Sequence, residues 1–274
     1  MEQFIKFLSQ AKTDINHSLN IWKNLLINEF GKHIEYFYAK GSAIKQWDSP
    51  LDYVPILSDL DIHIKLVDDY EIFQNVSDPI AKSLDISENY EHNFRTKYPK
   101  SFHLPRSQLV TINHLETLPD YVPPRLSDIR IVYGEPIIPI TLQPSRIREI
   151  DYNHLIKLKE ILKNLPMSLI DRSGLDYWVL IRRINWQVSP TPIRLLTQII
   201  DIPPLEIWSW NRTKIISELE NHGFEELMQN YKEFYLKGWE AFLAQHQKNE
   251  ILQQIIYHGC KVLESSLQIL QGLK

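Results

Sequence analysis

The sequence predicts an α+β fold in which a mixed sheet flanked by helices is followed by an all-α helical bundle domain. Two observations favour this arrangement. The first half of the chain contains short apolar runs with the composition of strands, whereas the second half repeats apolar residues at helical spacing almost throughout. Closely spaced prolines at residues 136–144 predict the connection between them. We therefore predict two domains, residues 1–145 and residues 146–274.

Apolar periodicity assigns the elements of the first domain. Residues 3–30 have helical spacing, which predicts one or two helices, and Gly31 predicts where this helical region ends. Residues 70–94 are predicted to be mostly helical, with a break near Pro79. Strands are predicted in four apolar runs, at residues 34–39, 58–64, 109–113 and 129–133.

The second domain is predicted from helix caps and breaks. Asp151 is expected to cap a helix that ends near Asn164, and Asn211 is expected to cap another. Further helices are predicted at residues 172–186, 191–200, 225–246 and 248–271. The aromatic side chains of this domain are expected to form its core. An alternative is that some line an acceptor pocket, the candidates being Tyr177, Trp178, Trp208 and Trp210.

Composition excludes several classes of protein. A formal net charge of −4 argues against general nucleic-acid binding through a basic surface. No apolar run reaches transmembrane length, and residues 1–3 open directly into an amphipathic pattern, so neither a membrane partner nor a signal sequence is expected. Cys260 is the only cysteine, which excludes an intramolecular disulfide and predicts a cytoplasmic location.

Two acids in one predicted strand are the strongest candidates for chemistry. Asp59 and Asp61 are two residues apart, so alternation along a strand places both carboxylates on one face. Mg²⁺ is commonly held by one or two carboxylates together with substrate phosphates. His63 continues the same face and is expected to hydrogen-bond beside the site. The alternative, in which the two acids only end a strand in a turn, is disfavoured because the apolar pattern continues beyond them.

A phosphate-binding turn is predicted before this strand. Gly41 and Ser42 follow the strand at residues 34–39 and precede residues 43–47, which are expected to open a helix. Backbone N–H groups at such a turn bind anions, since glycine allows close approach and the helix dipole favours negative charge.

The order of these motifs resembles the nucleotidyltransferase superfamily, including DNA polymerase beta and small prokaryotic aminoglycoside nucleotidyltransferases. The resemblance lies in Ala39-Lys40-Gly41-Ser42 at a strand end, followed by Asp59-Leu60-Asp61. It implies a nucleotidyltransferase-like sheet that uses Mg²⁺ to transfer a nucleoside monophosphate from a nucleoside triphosphate, ATP being favoured, to a hydroxyl of a small molecule. Asp59 and Asp61 would be the catalytic metal ligands, and the helical domain would shape the acceptor site.

The resemblance also assigns nucleotide-binding residues. Lys40, Gly41 and Ser42 would bind the nucleotide. Arg106, at the start of a later strand, would either neutralise a phosphate or pair with a carboxylate.

One feature departs from the family pattern. A third carboxylate is expected on a neighbouring strand, where this chain has Thr111 and Asn113. Glu116 or Glu35 could replace it if the register differs. The alternative function is therefore a catalytically degenerate module of the same fold that binds a nucleotide or a partner.

Overall fold

The computed structural model describes residues 2–67, 70–137 and 142–273, which form an α+β fold with a mixed, open, four-stranded sheet. The chain divides into two compact units. The sheet unit consists of Glu2–Lys45 and Ser58–Ile140, and the helical unit consists of Gln46–Leu57 and Thr141–Lys274. The second part of the helical unit begins at residue 141, five residues before the predicted start at 146. The helical unit also includes Gln46–Leu57, which was predicted for the first domain.

The sheet confirms the four predicted strands, with ends that differ by a few residues. Its strands are β1 (Ile34–Lys40), β2 (Leu60–Leu66), β3 (Ser107–Thr111) and β4 (Arg130–Tyr133). Their order is β3-β2-β1-β4. β1 runs antiparallel to both β2 and β4, whereas β2 and β3 are parallel. Lys40 and Asp61 of the candidate site lie in the central strands β1 and β2, whereas Gly41 follows β1 and Asp59 lies just before β2.

Three α-helices accompany the sheet in its unit. They are α1 (Glu2–Phe30), which confirms the predicted first helix, α2 (Pro79–Lys97) and the short α3 (Ile112–Leu115). The expected helix between residues 70 and 78 was wrong where the structure describes it, because these residues form turns and isolated bends. α2 starts only at Pro79, where the Asp78 carboxylate caps it by accepting a hydrogen bond from Ala81 N at 2.9 Å.

Hydrogen bonds from α1 and α2 fix the loop that enters β3. The carboxylate of Asp14 accepts from the backbone N of His103 at 2.8 Å, and the Tyr90 hydroxyl donates to the carbonyl of Pro105 at 2.6 Å. The indole N–H of Trp22 reaches the hydroxyl of Ser107 at 2.6 Å. These contacts hold the backbone on either side of Arg106.

The helical unit contains seven of the α-helices in the described residues. They are α4 (Pro144–Asn164), α5 (Leu175–Val188), α6 (Thr191–Ile199), α7 (Pro204–Ser209), α8 (Arg212–Asn221), α9 (Glu225–Leu243) and α10 (Asn249–Gly272). Asn211 caps α8 as predicted, its side chain accepting from Lys214 N at 2.9 Å. The prediction that Asp151 caps α4 was wrong. Asp151 lies inside that helix, where its buried carboxylate accepts a hydrogen bond from Thr197 at 2.9 Å.

Gln46–Leu57, between β1 and β2, belongs to the helical unit because its polar groups are satisfied there. The two oxygens of Asp52 accept from the backbone N and the hydroxyl of Thr213, both at 2.8 Å. The buried guanidinium of Arg212 donates to the carbonyls of Leu51 at 2.9 Å and Asp52 at 3.1 Å. Loss of the Arg212 guanidinium would leave these two carbonyls without that donor, which is costly at a buried position.

Apolar packing completes the attachment of the same segment. Tyr53 and Val54 are fully buried. The indole N–H of Trp239 donates to the carbonyl of Pro50 at 2.8 Å, and the Asn185 amide donates to the carbonyl of Leu57 at 2.8 Å. The segment is therefore part of the core of the helical unit.

The described part of the chain contains no helix with both the length and the apolar character needed to cross a membrane.

Candidate functional site

Gly41 and Asp61 meet where β1 ends and β2 begins. Lys40 pairs with Asp61 in the antiparallel register, so Gly41 is the next residue beyond that pair. Gly41 has a positive φ of 82°, and a Cβ built on it would lie 2.5 Å from Asp61 Oδ2. A side chain would therefore collide with the carboxylate, and the position requires glycine for both its backbone conformation and its space.

The backbone after Gly41 forms a turn. The backbone N–H groups of Ile44 and Lys45 donate to the carbonyl of Gly41 at 3.2 and 3.4 Å. Ser42 lies inside this turn and is partly buried. The expected helix at residues 43–47 is wrong, so this segment supplies no helix dipole to the site. What remains of the predicted anion cradle is a tight glycine turn against Asp61.

Arg106 forms an ion pair with Asp59, joining its Nη2 to Asp59 Oδ1. The backbone holds this pair in place, since the N–H of Leu60 donates to the carbonyl of Arg106 at 2.9 Å. Of the two roles expected for Arg106, the structure contains the pairing with a carboxylate. The buried Nε and Nη1 groups of Arg106 have no hydrogen-bond partner in the part of the chain that is described. An anion with two acceptors could use these donors.

Burial dominates the electrostatics of this cluster. Burial, followed by the nearby charge of Asp59, raises the pKa of Asp61 to about 7 against the opposing effect of Lys40. Burial also lowers the pKa of Lys40, although Asp61 opposes that change. The attraction between Lys40 and Asp61 is thus too weak to offset their desolvation. A cation bound here would favour the deprotonated form of Asp61, and an anion would favour the protonated form of Lys40.

β3, one of the two strands beside β2, carries no acid. β3 pairs with β2 in parallel register, with Gln108 opposite Asp61 and Val110 opposite His63. Because paired residues share a face, Gln108 occupies the position nearest to Asp61 on this strand. The sequence pattern predicts Thr111 and Asn113 at the place of the third carboxylate, further along the chain. Knowledge of the strand register was needed to identify Gln108.

Asn113 has a structural role. Its side-chain oxygen accepts from the backbone N of Leu66 at 2.9 Å, and its amide donates to the carbonyl of Leu66 at 3.1 Å. Thr111, the last residue of β3, is paired with Ile64 in the ladder. Both residues therefore lie at the end of β2 that is remote from Asp61.

The two replacement acids also lie away from Asp61. Glu116 accepts an ion pair from Lys65 at 2.6 Å, and Lys65 is four residues, or about 13 Å, along β2 from Asp61. Glu35 is exposed near the start of β1. Asp61 pairs with Lys40 at the opposite end of that strand. Neither acid is placed to act as the third carboxylate.

His63 is buried beside aromatic groups. It stacks on Tyr38, with the ring centroids 5.5 Å apart, and its Nδ1 has no hydrogen-bond partner among the described residues. The expected hydrogen bond from His63 is therefore missing at that nitrogen. Burial, together with the charge of Lys40, lowers the pKa of His63 to about 3, so the ring is neutral at physiological pH.

Asp59 and Asp61 offer the ligand chemistry that Mg²⁺ prefers, because both present carboxylate oxygens. Their mutual repulsion, which contributes to the raised pKa of Asp61, would be relieved by a divalent cation. Among the residues with described positions, no group of three or more His, Cys, Asp and Glu side chains is placed to hold a metal ion. These two acids would hold the ion only with help from other ligands such as phosphate, and Arg106 would compete for Asp59.

No protein-family model, curated protein or solved structure matches the chain.

Proposed function

We propose that the sheet unit binds a nucleoside triphosphate with Mg²⁺ and transfers the nucleoside monophosphate to a hydroxyl of a small molecule. The observation that carries the proposal is the contact between Gly41 and the Asp61 carboxylate. It joins the two halves of the sequence pattern that resembles nucleotidyltransferases, although twenty residues separate them in the chain. The sheet would then be a nucleotidyltransferase-like sheet.

The roles of the residues follow from their chemistry. Asp59 and Asp61 would hold Mg²⁺, and the bound ion would offset the negative charge of the triphosphate. Lys40 and the unpaired donors of Arg106 would bind phosphate oxygens, while the turn at Gly41 and Ser42 would let the phosphates approach the backbone. In the transfer, the acceptor oxygen bonds to the α-phosphorus as the bond to pyrophosphate breaks. Pyrophosphate takes the electron pair, and the hydroxyl proton passes to water.

Calorimetry of ATP binding with and without Mg²⁺ tests the site. We expect Mg²⁺-dependent binding by the native chain and its loss in Asp59→Asn, in Asp61→Asn and in the double variant. Glu88→Gln is the matched control, because it removes one exposed carboxylate of α2. Binding that is indifferent to both site substitutions would overturn the proposed site.

A second candidate function is nucleotide binding without transfer. It is favoured by Gln108, an amide where the neighbouring strand would supply a carboxylate. Measurement of pyrophosphate release from labelled ATP across a set of hydroxyl acceptors separates the two functions. Metal-dependent binding without release in any acceptor would favour the module over the enzyme.

The proposal includes a cytoplasmic location. It is supported by the single cysteine, which leaves no intramolecular disulfide to require an oxidising compartment.

A further inference from the structure

α5 presents an apolar ridge on its exposed side. The ridge consists of Leu175, Val179 and Trp186, which are 85%, 59% and 56% exposed. Their spacing of four and then seven residues places all three on one face of the helix. The opposite face contains Leu180 and Ile181, which are buried in the core of the helical unit. Water-exposed leucine, valine and tryptophan in one row are unusual on a monomer surface and indicate an interaction site.

Two opposite charges border the ridge on one edge. Asp176 and Arg183 are exposed and are separated by seven residues, close to two helical turns, so they lie on the same edge of α5. Neither side chain takes part in an ion pair within the residues that the structure describes. The edge therefore carries one negative and one positive group, each able to accept a partner.

We infer that the α5 ridge is a dimer interface occupied by a second copy of this chain. In an antiparallel pair of α5 helices related by a two-fold axis, the same edges of the two helices meet. An axis beside Val179, midway between Asp176 and Arg183, pairs Asp176 of each copy with Arg183 of the other. The same axis brings the two Val179 side chains together and places Trp186 over the Leu175 region of the second copy. The face is thus complementary to itself: its opposite charges pair, and its apolar residues meet apolar residues.

The expected association is weak to moderate, because a single helix pair buries less surface than most permanent dimers. Trp186 should contribute most of the affinity, since it is the largest apolar side chain of the ridge and tryptophan is enriched among the residues that dominate binding. The two ion pairs should contribute less and should mainly fix the antiparallel register.

Sedimentation equilibrium of the full chain, over roughly 1 to 200 µM, tests the interface. We expect a concentration-dependent dimer, a dissociation constant raised on the order of a hundredfold by Trp186→Ala, and no change in Tyr257→Ser. Tyr257 is a suitable control because it is a comparably exposed aromatic residue that belongs to α10 and not to the ridge.

A charge exchange provides a test that does not depend on loss of packing. Asp176→Arg and Arg183→Asp should each weaken self-association about tenfold, because each opposes like charges across the axis. An equimolar mixture of these two variants should recover dimers, since both ion pairs are then complementary. A chain that stays monomeric at every concentration would overturn the inference. A dimer unaffected by Trp186→Ala, or a mixture that does not recover association, would overturn it as well.

Discussion

The carboxylate of Asp61 occupies the space beside Gly41, so that a Cβ built on Gly41 would lie 2.5 Å from Asp61 Oδ2. This contact brings together the turn that ends β1 and the acid that begins β2.

Replacement of Gly41 by alanine should destabilise the fold by more than the positive φ alone explains. We expect Gly41→Ala to lower the free energy of unfolding by about 2 to 4 kcal/mol, because strain and a collision with Asp61 add. Gly223→Ala is the matched control, since Gly223 has a φ of +73° but open space around its Cα. Urea denaturation measures both. Equal losses in the two variants would show that the Asp61 contact has no energetic weight.

The raised pKa of Asp61 predicts a loss of stability with rising pH. In the absence of metal, the folded protein keeps a proton on Asp61 up to about pH 7, whereas the unfolded chain loses it near the usual value of 3.8. The unfolding free energy should therefore fall between pH 4 and pH 7, by at most roughly 1.4 kcal/mol per pH unit. Asp61→Asn should flatten this decline relative to Glu88→Gln when both are denatured in EDTA. The decline would persist in Asp61→Asn if another group caused it.

His63 predicts an opposite dependence in acid. Its pKa is about 3 in the folded protein and near 6.5 in the unfolded chain, because burial disfavours the charged ring. The unfolded chain then binds more protons, so stability should fall as the pH drops from 6.5 towards 3. His63→Phe keeps a ring against Tyr38 and should reduce this acid loss, whereas His92→Gln on the exposed side of α2 should leave it unchanged. Thermal melts at pH 4, 5, 6 and 7 provide the comparison.

Arg106 should control the affinity of Asp59 for cations. Arg106→Gln removes the ion-pair partner of a carboxylate whose side chain is only 9% exposed. We expect lower stability without metal and tighter binding of Mn²⁺ alone, measured by electron paramagnetic resonance, because a competing cation is gone. ATP should bind more weakly, since phosphate donors are lost with the guanidinium. Weaker Mn²⁺ binding in Arg106→Gln would contradict the proposed competition.

Asp52 should be essential for attaching residues 46–57 to the helical unit. Asp52→Ala removes a buried carboxylate that accepts from the backbone N of Thr213 and of Ser49, so we expect the free energy of unfolding to fall by about 2 to 4 kcal/mol. Asp201→Ala, at an exposed aspartate of the same unit, should change it by less than about 0.5 kcal/mol. Guanidinium denaturation followed by tryptophan fluorescence would show whether the two variants differ.

Local pattern was sufficient to predict the strands and the shared location of Gly41 and Asp61. Alternation along β2 and the break at Gly41 are encoded within about thirty residues, so no distant partner was required. The same kind of evidence predicted the Asn211 cap, which depends on Lys214, three residues away.

Features that depend on distant residues could not be predicted. Asp52 receives hydrogen bonds from Thr213, which is 161 residues further along the chain, so the loop appeared to be a simple insertion. Gln108 became visible only through the parallel register of β3 with β2. The expected helix after Gly41 failed because helix propensity over five residues is weak evidence when the chain turns away instead.

The chain passes between the two units at residues 45–46, 57–58 and 140–141, so neither unit is a continuous piece of sequence. A gene fragment that ends at 145 would carry Tyr53 and Val54 without the side chains that bury them, and a fragment that starts at 146 would lack the carboxylate that Thr213 requires. We therefore expect neither fragment to fold when it is expressed without the other, so a cut between residues 145 and 146 does not separate two independent modules.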